Sequence, residues 1–207
     1  YDPKLPYFSI LVPTMNTVWY AYLLDLCLTI KKHCFFTGET GVGKSVVIQN
    51  YIAKNRERKL LNPFFLNFSA QTDSYNTQAL IEDKLEKVGT AFGSPGGQTT
   101  LIFVDDINMP SVEKYGAQPP IELLRQIISE KGFYTRPPDK FEWKHLVDYV
   151  LVCAAAPPSG GRSPLTPRFM RHFHVFCMPD NNEEITWQIF ESIIIGYLKS
   201  GCFNESV

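Results

Sequence analysis

One short segment constrains the fold of this chain more than any other, and its sequence is Gly38-Glu39-Thr40-Gly41-Val42-Gly43-Lys44-Ser45. It fits the pattern G-x-x-x-x-G-K-[ST]. Glycine allows backbone conformations that a side chain would forbid, so the N–H groups of such a loop can face inward around an anion. Lys44 offers a cation for the outer phosphates of a nucleotide, and the Ser45 hydroxyl can ligate Mg²⁺. The pattern therefore predicts a phosphate-binding loop.

The residues on either side of this loop predict the two elements that it needs. The run from 33 to 37 is typical of a short buried strand, and the run from 46 to 52 is typical of a helix. A helix that begins at the loop adds unpaired N–H groups and the positive end of its dipole to the anion site. Val46, at the start of this helix, therefore joins residues 38–45 among the predicted nucleotide contacts.

A second motif predicts the magnesium side of the site. The apolar run over 101–104 is typical of a buried strand in a parallel sheet, and Asp105 and Asp106 follow it directly. In α/β sheets, ligands bind at the carboxyl ends of the strands. We therefore expect Asp105 to hold Mg²⁺ opposite Ser45, directly or through water. We expect Asp106 to orient or deprotonate an attacking water.

Strands and helices alternate along the chain, which predicts a parallel sheet with helices on both faces. The fold class we expect is α/β: a three-layer αβα P-loop NTPase with a mainly parallel five-stranded sheet, plus the first helix of an α-helical lid. Residues 1–180 would form the large nucleotide-binding subdomain, and residues 181–207 would begin the lid. The other predicted elements are an extended segment over 7–13, helices over 17–31, 73–88, 119–130 and 183–199, strands over 63–69, 146–156 and 173–178, a turn-rich loop over 92–98, and a strand–loop–strand over 133–143.

The composition argues against several classes of partner. With 44% hydrophobic residues, a net charge of −1 and a pI near 6.5, the chain has no bulk electrostatic signature of a nucleic-acid or membrane-surface protein. No apolar run approaches the roughly 20 residues that span a bilayer. The five cysteines are scattered and odd in number, which favours a reducing, cytoplasmic compartment. Because the chain starts at Tyr1 and ends just after an apolar helix, we expect it to be a piece of a longer protein.

The motifs also distinguish between classes of P-loop protein. The base-reading motif Asn-Lys-x-Asp of small GTPases is absent from the sequence. The run over 94–98 is superficially similar to the signature of transporter ATPases, but it lies directly before the acidic strand, where a turn is the better interpretation. Arg162, Arg168 and Arg171 come too late, and too near a strand, for the lid of a nucleotide kinase.

The arginines before the last predicted strand fit a remaining class, the ring-forming AAA+ ATPases. In such rings an arginine at this position faces the nucleotide of the neighbouring module, where it can be worth about 10³–10⁵ in rate. Arg168 and Arg171 are the candidates here. The plain alternative is a pair of surface arginines, and the spacing alone leaves both interpretations open.

Seven stretches, which together run nearly the whole chain, match one family: residues 12–14, 38–45, 67–72, 103–110, 115–126, 157–162 and 167–173. On these stretches the sequence resembles the third AAA+ module of axonemal dynein heavy chains. The most specific are Asp105-Asp106-Ile107-Asn108-Met109-Pro110 and the run over 115–126. The phosphate loop alone is much less specific.

This resemblance implies a role in a larger machine. In the family, six AAA+ modules of one chain form a ring that drives a microtubule-binding stalk and a linker, and the third module is a regulatory nucleotide site. It implies ATP or ADP with Mg²⁺ as ligands, Pro13 and Thr14 near the adenine, and Arg171, with Arg168 beside it, reaching the second module's nucleotide. The implied partners are neighbouring modules, other dynein chains and microtubules. The implied location is the axoneme of a cilium or flagellum.

Two residues depart from the pattern of a hydrolytic AAA+ ATPase. The second acidic position usually holds Glu, and Asp106 is one methylene shorter, about 1.5 Å. A displacement of about 1 Å in a positioned group can cost about 10²-fold in rate. The strand predicted to end at Ala156 should end in a polar residue that touches the γ-phosphate or the water, which a methyl group cannot replace. We therefore expect nucleotide binding to survive better than hydrolysis.

Three functions are compatible with the sequence. The leading hypothesis is a regulatory Mg·ATP/ADP-binding module of an axonemal dynein motor, with slow turnover of its own. The second is an ATPase in its own right, with Asp106 as a working base. The third is a structural ring module that holds nucleotide permanently, or none.

Overall fold

The computed structural model of the chain describes residues 10–136 and 141–199. Along these residues, helices separate the strands of the main sheet, and two short antiparallel strand pairs lie between them. In chain order the elements are α1 (Met15–Thr29), β1 (Cys34–Thr37), α2 (Lys44–Asn55), β2 (Leu61–Asn67), α3 (Ser74–Asp83), β3 (Glu86–Val88), β4 (Ala91–Gly93), β5 (Thr99–Asp105), α4 (Pro119–Glu130), β6 (Gly132–Tyr134), β7 (Trp143–His145), β8 (Tyr149–Ala155), α5 (Pro167–Met170), β9 (His174–Cys177) and α6 (Glu183–Lys199).

The central sheet consists of β2, β5, β8, β1 and β9 in that order, and every pair of neighbours is parallel. The register aligns Thr37 with Ala155 and Asn67 with Asp105. Because parallel strands point the same way, the carboxyl ends of β1, β5 and β8 meet at one edge. This sheet confirms the predicted fold class, and it puts the loop that follows β1 next to the carboxylates that follow β5.

Alternate side chains of the sheet pack into two separate cores. On β5, Ile102 and Val104 pack with buried residues of α3 and α4, whereas Leu101 and Phe103 pack with buried residues of α1 and α2. All four side chains are at most 1% exposed. A strand that is buried on both faces has a continuous apolar sequence, which is why its sequence could be recognised. The result is the predicted three-layer arrangement.

The predicted helix over 73–88 was wrong in its second part. α3 ends at Asp83, with Lys84 as its C-cap. β3 and β4 then form an antiparallel hairpin around Gly89, which adopts a φ of +64° that suits glycine. Val88, which the helical spacing assigned to the core, is 46% exposed. The local turn chemistry therefore overrides the apolar periodicity at this point.

Smaller differences concern the ends of other elements. The predicted loop over 92–98 begins inside β4 and contains a 3₁₀ turn at Pro95–Gly97. β8 is shorter than the predicted strand over 146–156. The predicted strand–loop–strand over 133–143 is present as the antiparallel pair β6 and β7. Its proline turn at 137–138, and residues 7–9 of the predicted extended segment, lie outside the described residues.

α6 coincides with the predicted helix over 183–199 but joins neither core. None of its residues, all of which are described, is buried. It exposes large apolar side chains, among them Trp187 at 73%. The division into residues 1–180 and 181–207 stays a prediction, and residues 200–207 lie outside the described part.

In the described ranges, no helix combines the length and the apolar character that a crossing of the bilayer requires.

Candidate nucleotide-binding site

The phosphate loop leaves β1 through a close contact that only glycine permits. Gly38 has a φ of +152°, and a Cβ atom placed on it would lie 2.4 Å from the carbonyl oxygen of Met178. The loop ends at Gly43, the N-cap of α2, which adopts a left-handed φ of +92°. α2 begins at the next residue, Lys44, so its first N–H groups open onto the loop. The predicted strand, loop and helix are all present.

Lys44 is folded back onto its own loop. Its Nζ donates hydrogen bonds to the carbonyl oxygens of Gly38 at 2.9 Å and Glu39 at 2.7 Å, and the residue is 9% exposed. Burial lowers the pKa of Lys44, while the carboxylates of Asp105 and Asp106 act in the opposite direction. The ammonium is thus a buried cation held by neutral carbonyls. A phosphate oxygen would accept a shorter and stronger, charge-assisted hydrogen bond from it.

One cavity of about 280 Å³ brings most of the predicted groups together. Thr40, Gly41 and residues 43–46 line it on the loop side, and Asp105 and Asp106 line it on the strand side. Asp105 is the last residue of β5, and its Oδ1 accepts a hydrogen bond from the Asp106 N–H at 3.1 Å. Asp106 itself has a left-handed φ of +49°. The strand end therefore presents two adjacent carboxylates beside Lys44 and Ser45.

The other predicted loop residues have different places. Gly38 and Glu39 contribute their carbonyl oxygens to Lys44, as described above. Val42 is buried and belongs to the core that α1 and α2 share. These three residues therefore shape the loop, and they do not line the cavity.

Pro13 and Thr14 lie near a second cavity, of about 190 Å³, between the N-terminal segment and helices α1 and α2. Pro13 lines this cavity. Thr14 is 3% exposed and forms a capping box with Thr17: its Oγ1 accepts from the Thr17 N–H at 3.2 Å, and its N–H donates to Thr17 Oγ1 at 2.8 Å. Neither residue lines the phosphate cavity, and an adenine contact from either one stays a prediction.

Arg162 is a member of the cavity that the sequence-based site residues did not include. It lies on the loop after β8, and one guanidinium nitrogen is 3.7 Å from Asp106 Oδ1. Its Nε is buried and has no hydrogen-bond partner in the described part of the chain. The sequence does contain a signal, because Arg162 ends the family-like stretch over 157–162. That stretch did not indicate which way the arginine is directed.

Asn108 joins the acidic strand to the loop that carries Arg162. Its side-chain Nδ2 donates to the Ala156 backbone carbonyl at 2.8 Å, and its backbone carbonyl accepts from the Ser163 N–H at 3.0 Å. Ala156 directly follows β8, lines the cavity and is 5% exposed. The wall of the cavity at the end of β8 is therefore a methyl group, as the sequence predicted.

Arg168 and Arg171 lie away from this cavity. Arg168, on α5, donates to Glu122 Oε1 from Nη2 at 2.7 Å and from Nε at 3.1 Å. Glu122 Oε2 also accepts from Arg125 Nε at 2.7 Å. Arg171 is exposed, and its Nε lies 3.4 Å from His172 Nε2. Neither arginine reaches this chain's own phosphate loop. Their predicted role toward a neighbouring module stays a prediction.

The groups around the cavity fit a magnesium nucleotide. The loop and the start of α2 offer N–H groups for phosphates, and Lys44 adds a cation. Ser45 and Asp105 provide the hard oxygen ligands that Mg²⁺ prefers. The buried Arg162 Nε adds a donor that lacks a partner among the described residues. A parallel sheet with this site at its carboxyl edge defines a P-loop nucleotide-binding protein.

Comparison with known proteins narrows this class to a family. The family model described as "P-loop containing dynein motor region" matches residues 1–181, and the chain therefore belongs to that family. The chain is 49% identical over 199 residues to dynein axonemal heavy chain 6 of Homo sapiens. The aligned region covers 96% of this chain and 5% of that protein. It is 44% identical over 199 residues to dynein axonemal heavy chain 1 of Homo sapiens, and this aligned region covers 95% of this chain and 5% of that protein.

A third relative has a lower sequence identity. The chain is 39% identical over 191 residues to the dynein-1-alpha heavy chain, flagellar inner arm I1 complex, of Chlamydomonas reinhardtii, covering 92% of this chain and 4% of that protein. This chain thus spans about a twentieth of the length of the curated relatives it matches.

Proposed function

We propose that this chain is a regulatory nucleotide-binding module of an axonemal dynein motor and that its ligand is ATP or ADP with Mg²⁺. The observation that carries the proposal is the convergence of Lys44, Ser45 and Asp105 on one cavity beside the phosphate loop. The family match supports nucleotide binding by this region in general. The axonemal relatives support the kind of motor.

Each group around the cavity has its own task in binding. The loop amides and the first turn of α2 hold the phosphates by hydrogen bonds. Lys44 exchanges the carbonyls of Gly38 and Glu39 for phosphate oxygens. Ser45 and Asp105 would hold Mg²⁺, which neutralises phosphate charge when it is bound. Binding is therefore favoured by groups that the folded chain already holds within one cavity.

The same geometry favours slow hydrolysis. Asp106 carries a short carboxylate, and its Oδ1 lies 3.7 Å from the guanidinium of Arg162. Ala156 offers only a methyl group at the end of β8. An attacking water then lacks both a long-reaching base and a polar partner on β8. Because misplacement by about 1 Å can cost about 10²-fold, we propose that turnover at this site is slow.

The proposal extends to the longer protein that the relatives represent. There the chain is the third of six AAA+ modules in a ring, and its nucleotide state adjusts ATP-driven movement along microtubules. The exposed Arg171, with Arg168, reaches the nucleotide of the neighbouring second module. Other dynein chains are further partners, and the location is the axoneme of a cilium or flagellum. The names of the relatives support a dynein heavy chain and a place in the axoneme or flagellum. The position in the ring and the contacts of the arginines are supported by the sequence resemblance alone, and neither a nucleic acid nor a membrane is proposed as a partner.

Titration of the chain with a fluorescent ADP derivative in the presence of Mg²⁺ tests the proposal. We expect saturable binding that weakens when Mg²⁺ is removed. Lys44→Ala should weaken it at least about 10-fold, because one charge-assisted contact to phosphate is lost. Lys87→Ala, a change of the same kind on the exposed strand β3, is the matched control and should bind like the wild type. If the folded wild-type chain bound neither ADP nor ATP, the proposal would be wrong.

One observation favours the structural alternative, a ring module with permanently bound nucleotide or none. Lys44 has two carbonyl partners within its own loop, so the chain itself can satisfy this cation. Exchange kinetics separate the alternatives. A regulatory site should release labelled ADP within minutes when unlabelled ATP is added, whereas retention over hours would favour the structural module. Measurable turnover that Asp106→Asn abolishes would favour an active ATPase instead.

A further inference from the structure

Arg162 sits in the phosphate cavity with an incomplete set of partners. Its side chain is 22% exposed, and its closest ionic partner, Asp106 Oδ1, is 3.7 Å away. Its Nε is shielded from solvent, and no described residue accepts a hydrogen bond from it. A buried guanidinium donor without an acceptor is costly. Such an arrangement suits an anionic ligand that enters the cavity and completes the hydrogen bonding.

The backbone that carries Arg162 is held on two sides. The Arg162 N–H donates to the Ser159 carbonyl at 3.1 Å, which closes a turn, and the next residue, Ser163, donates to the Asn108 carbonyl at 3.0 Å. Asn108 in turn binds the Ala156 carbonyl through Nδ2. The base of the arginine is therefore fixed relative to both β5 and β8. Movement of Arg162 is left to its long side chain.

The residue at the end of β8 gives the cavity no polar side chain. Ala156, directly after β8, lines the cavity, but its side chain is a methyl group that cannot donate a hydrogen bond to a phosphate. Arg162 follows six residues later in the chain, lines the same cavity and carries donors in a planar fork. The arginine can therefore supply the polar contact that the strand does not.

We propose that Arg162 distinguishes ATP from ADP in this site by donating hydrogen bonds to the terminal phosphate of ATP, in place of a polar side chain at the end of β8. With ADP bound, Arg162 pairs with Asp106 instead. The inference rests on the proposed function, since it requires that Mg·nucleotide binds to the loop. Arg162 thereby links the kind of nucleotide in the site to the position of the Asp106 carboxylate.

The charges of the cavity support this assignment. Lys44 and Arg162 balance Asp105 and Asp106, and Mg·ATP carries one more negative charge than Mg·ADP. Loss of the guanidinium charge therefore weakens the binding of ATP more than that of ADP if Arg162 contacts the terminal phosphate. An ion pair with Asp106 alone adds no hydrogen bond to the terminal phosphate. Its loss would then affect the two nucleotides far more evenly, apart from the general effect of the lost charge, which Arg162→Lys retains.

The test compares Arg162→Gln and Arg162→Lys with the wild-type chain. Dissociation constants are measured for Mg·ADP and for a non-hydrolysable ATP analogue with an imido β–γ bridge. For Arg162→Gln we expect a 10- to 100-fold loss of affinity for the ATP analogue, the usual range for a hydrogen bond to a charged group, and less than about 3-fold for ADP. Arg162→Lys keeps the charge but not the planar fork of donors. Its affinity for the ATP analogue should therefore lie between the affinities of the wild type and of Arg162→Gln.

Arg58→Gln is the matched control, because Arg58 is exposed and pairs with Asp25, away from the cavity. It should leave both affinities unchanged. Thermal unfolding of each variant shows that the chain is folded, and Arg162→Lys tests the charge if Arg162→Gln does not fold. Equal losses for both nucleotides, or no loss, would overturn the inference while the proposed function stands. Absence of binding by the wild-type chain would overturn both.

Discussion

At the scale of single residues, Gly38 makes the phosphate loop depend on the end of the last strand. Met178 directly follows β9, and its N–H donates to the Thr37 carbonyl at 2.7 Å. This bond brings the Met178 carbonyl next to Gly38, where no Cβ fits. The glycine is thus required both for its backbone conformation and for the close approach of a neighbouring strand. The P-loop pattern explains only the first of these needs.

Gly38→Ala should therefore destabilise the chain more than a comparable glycine substitution elsewhere. The left-handed φ alone costs about 1–3 kcal/mol, and the contact with Met178 adds displacement of the backbone. Gly89→Ala is the matched control, since Gly89 has a φ of +64° and nothing within 4 Å of its added Cβ. Urea unfolding should show a larger loss for Gly38→Ala. Equal losses would mean that the Met178 contact does not constrain the loop.

At the scale of elements, His33 links three strands at the start of β1. Its Nδ1 accepts a hydrogen bond from the Leu151 N–H of β8 at 3.0 Å, and its carbonyl accepts from the His174 N–H of β9 at 3.0 Å. Burial lowers the pKa of His33 from 6.5 to about 4, with help from the charges of His172 and Lys32. The folded chain therefore holds this imidazole neutral where the unfolded chain would protonate it.

The stability of the chain should fall as the pH decreases from 6.5 toward 4, because the unfolded state takes up a proton at His33 and the folded state does not. The stabilisation is fully present above the unfolded pKa, and its loss should reach at most about 3 kcal/mol. Unfolding free energies of the wild type and His33→Gln across this range measure it. The variant should be less stable at neutral pH and should show a shallower slope. Parallel curves would contradict the assignment.

The elements also show what the sequence could and could not predict. β5 and the P-loop helix could be recognised because a buried strand is apolar throughout and the loop pattern fixes its neighbours. The end of α3 could not, because Leu85 and Val88 continue a helical spacing that the Gly89 turn overrides. The position of Arg162 in the cavity depends on a loop that Asn108 holds in place, and only tertiary contacts provide that information. Local patterns therefore predicted the phosphate loop and β5 better than the side of the cavity that Arg162 forms.

At the scale of the whole molecule, the buried cores end before the last helix. The core members lie between Leu24 and Met178, and the family match ends at residue 181. α6, over Glu183–Lys199, contributes no buried residue, while Trp187, Phe190 and Ile194 on it are at least half exposed. The stability of the nucleotide-binding part should therefore not depend on this helix.

A chain that ends after residue 182 should keep the fold and the nucleotide site. Because α6 buries no side chain, its removal should change the free energy of unfolding by no more than the roughly 0.5 kcal/mol typical of surface changes, and the affinity for Mg·ADP should be unchanged. The shorter chain should also aggregate less, because it lacks several exposed apolar side chains. Urea unfolding, ADP titration and light scattering measure these three effects. Trp187→Ala in the full chain is the control and should likewise leave stability unchanged. A loss of several kcal/mol on truncation would show that α6 packs against the sheet domain in solution.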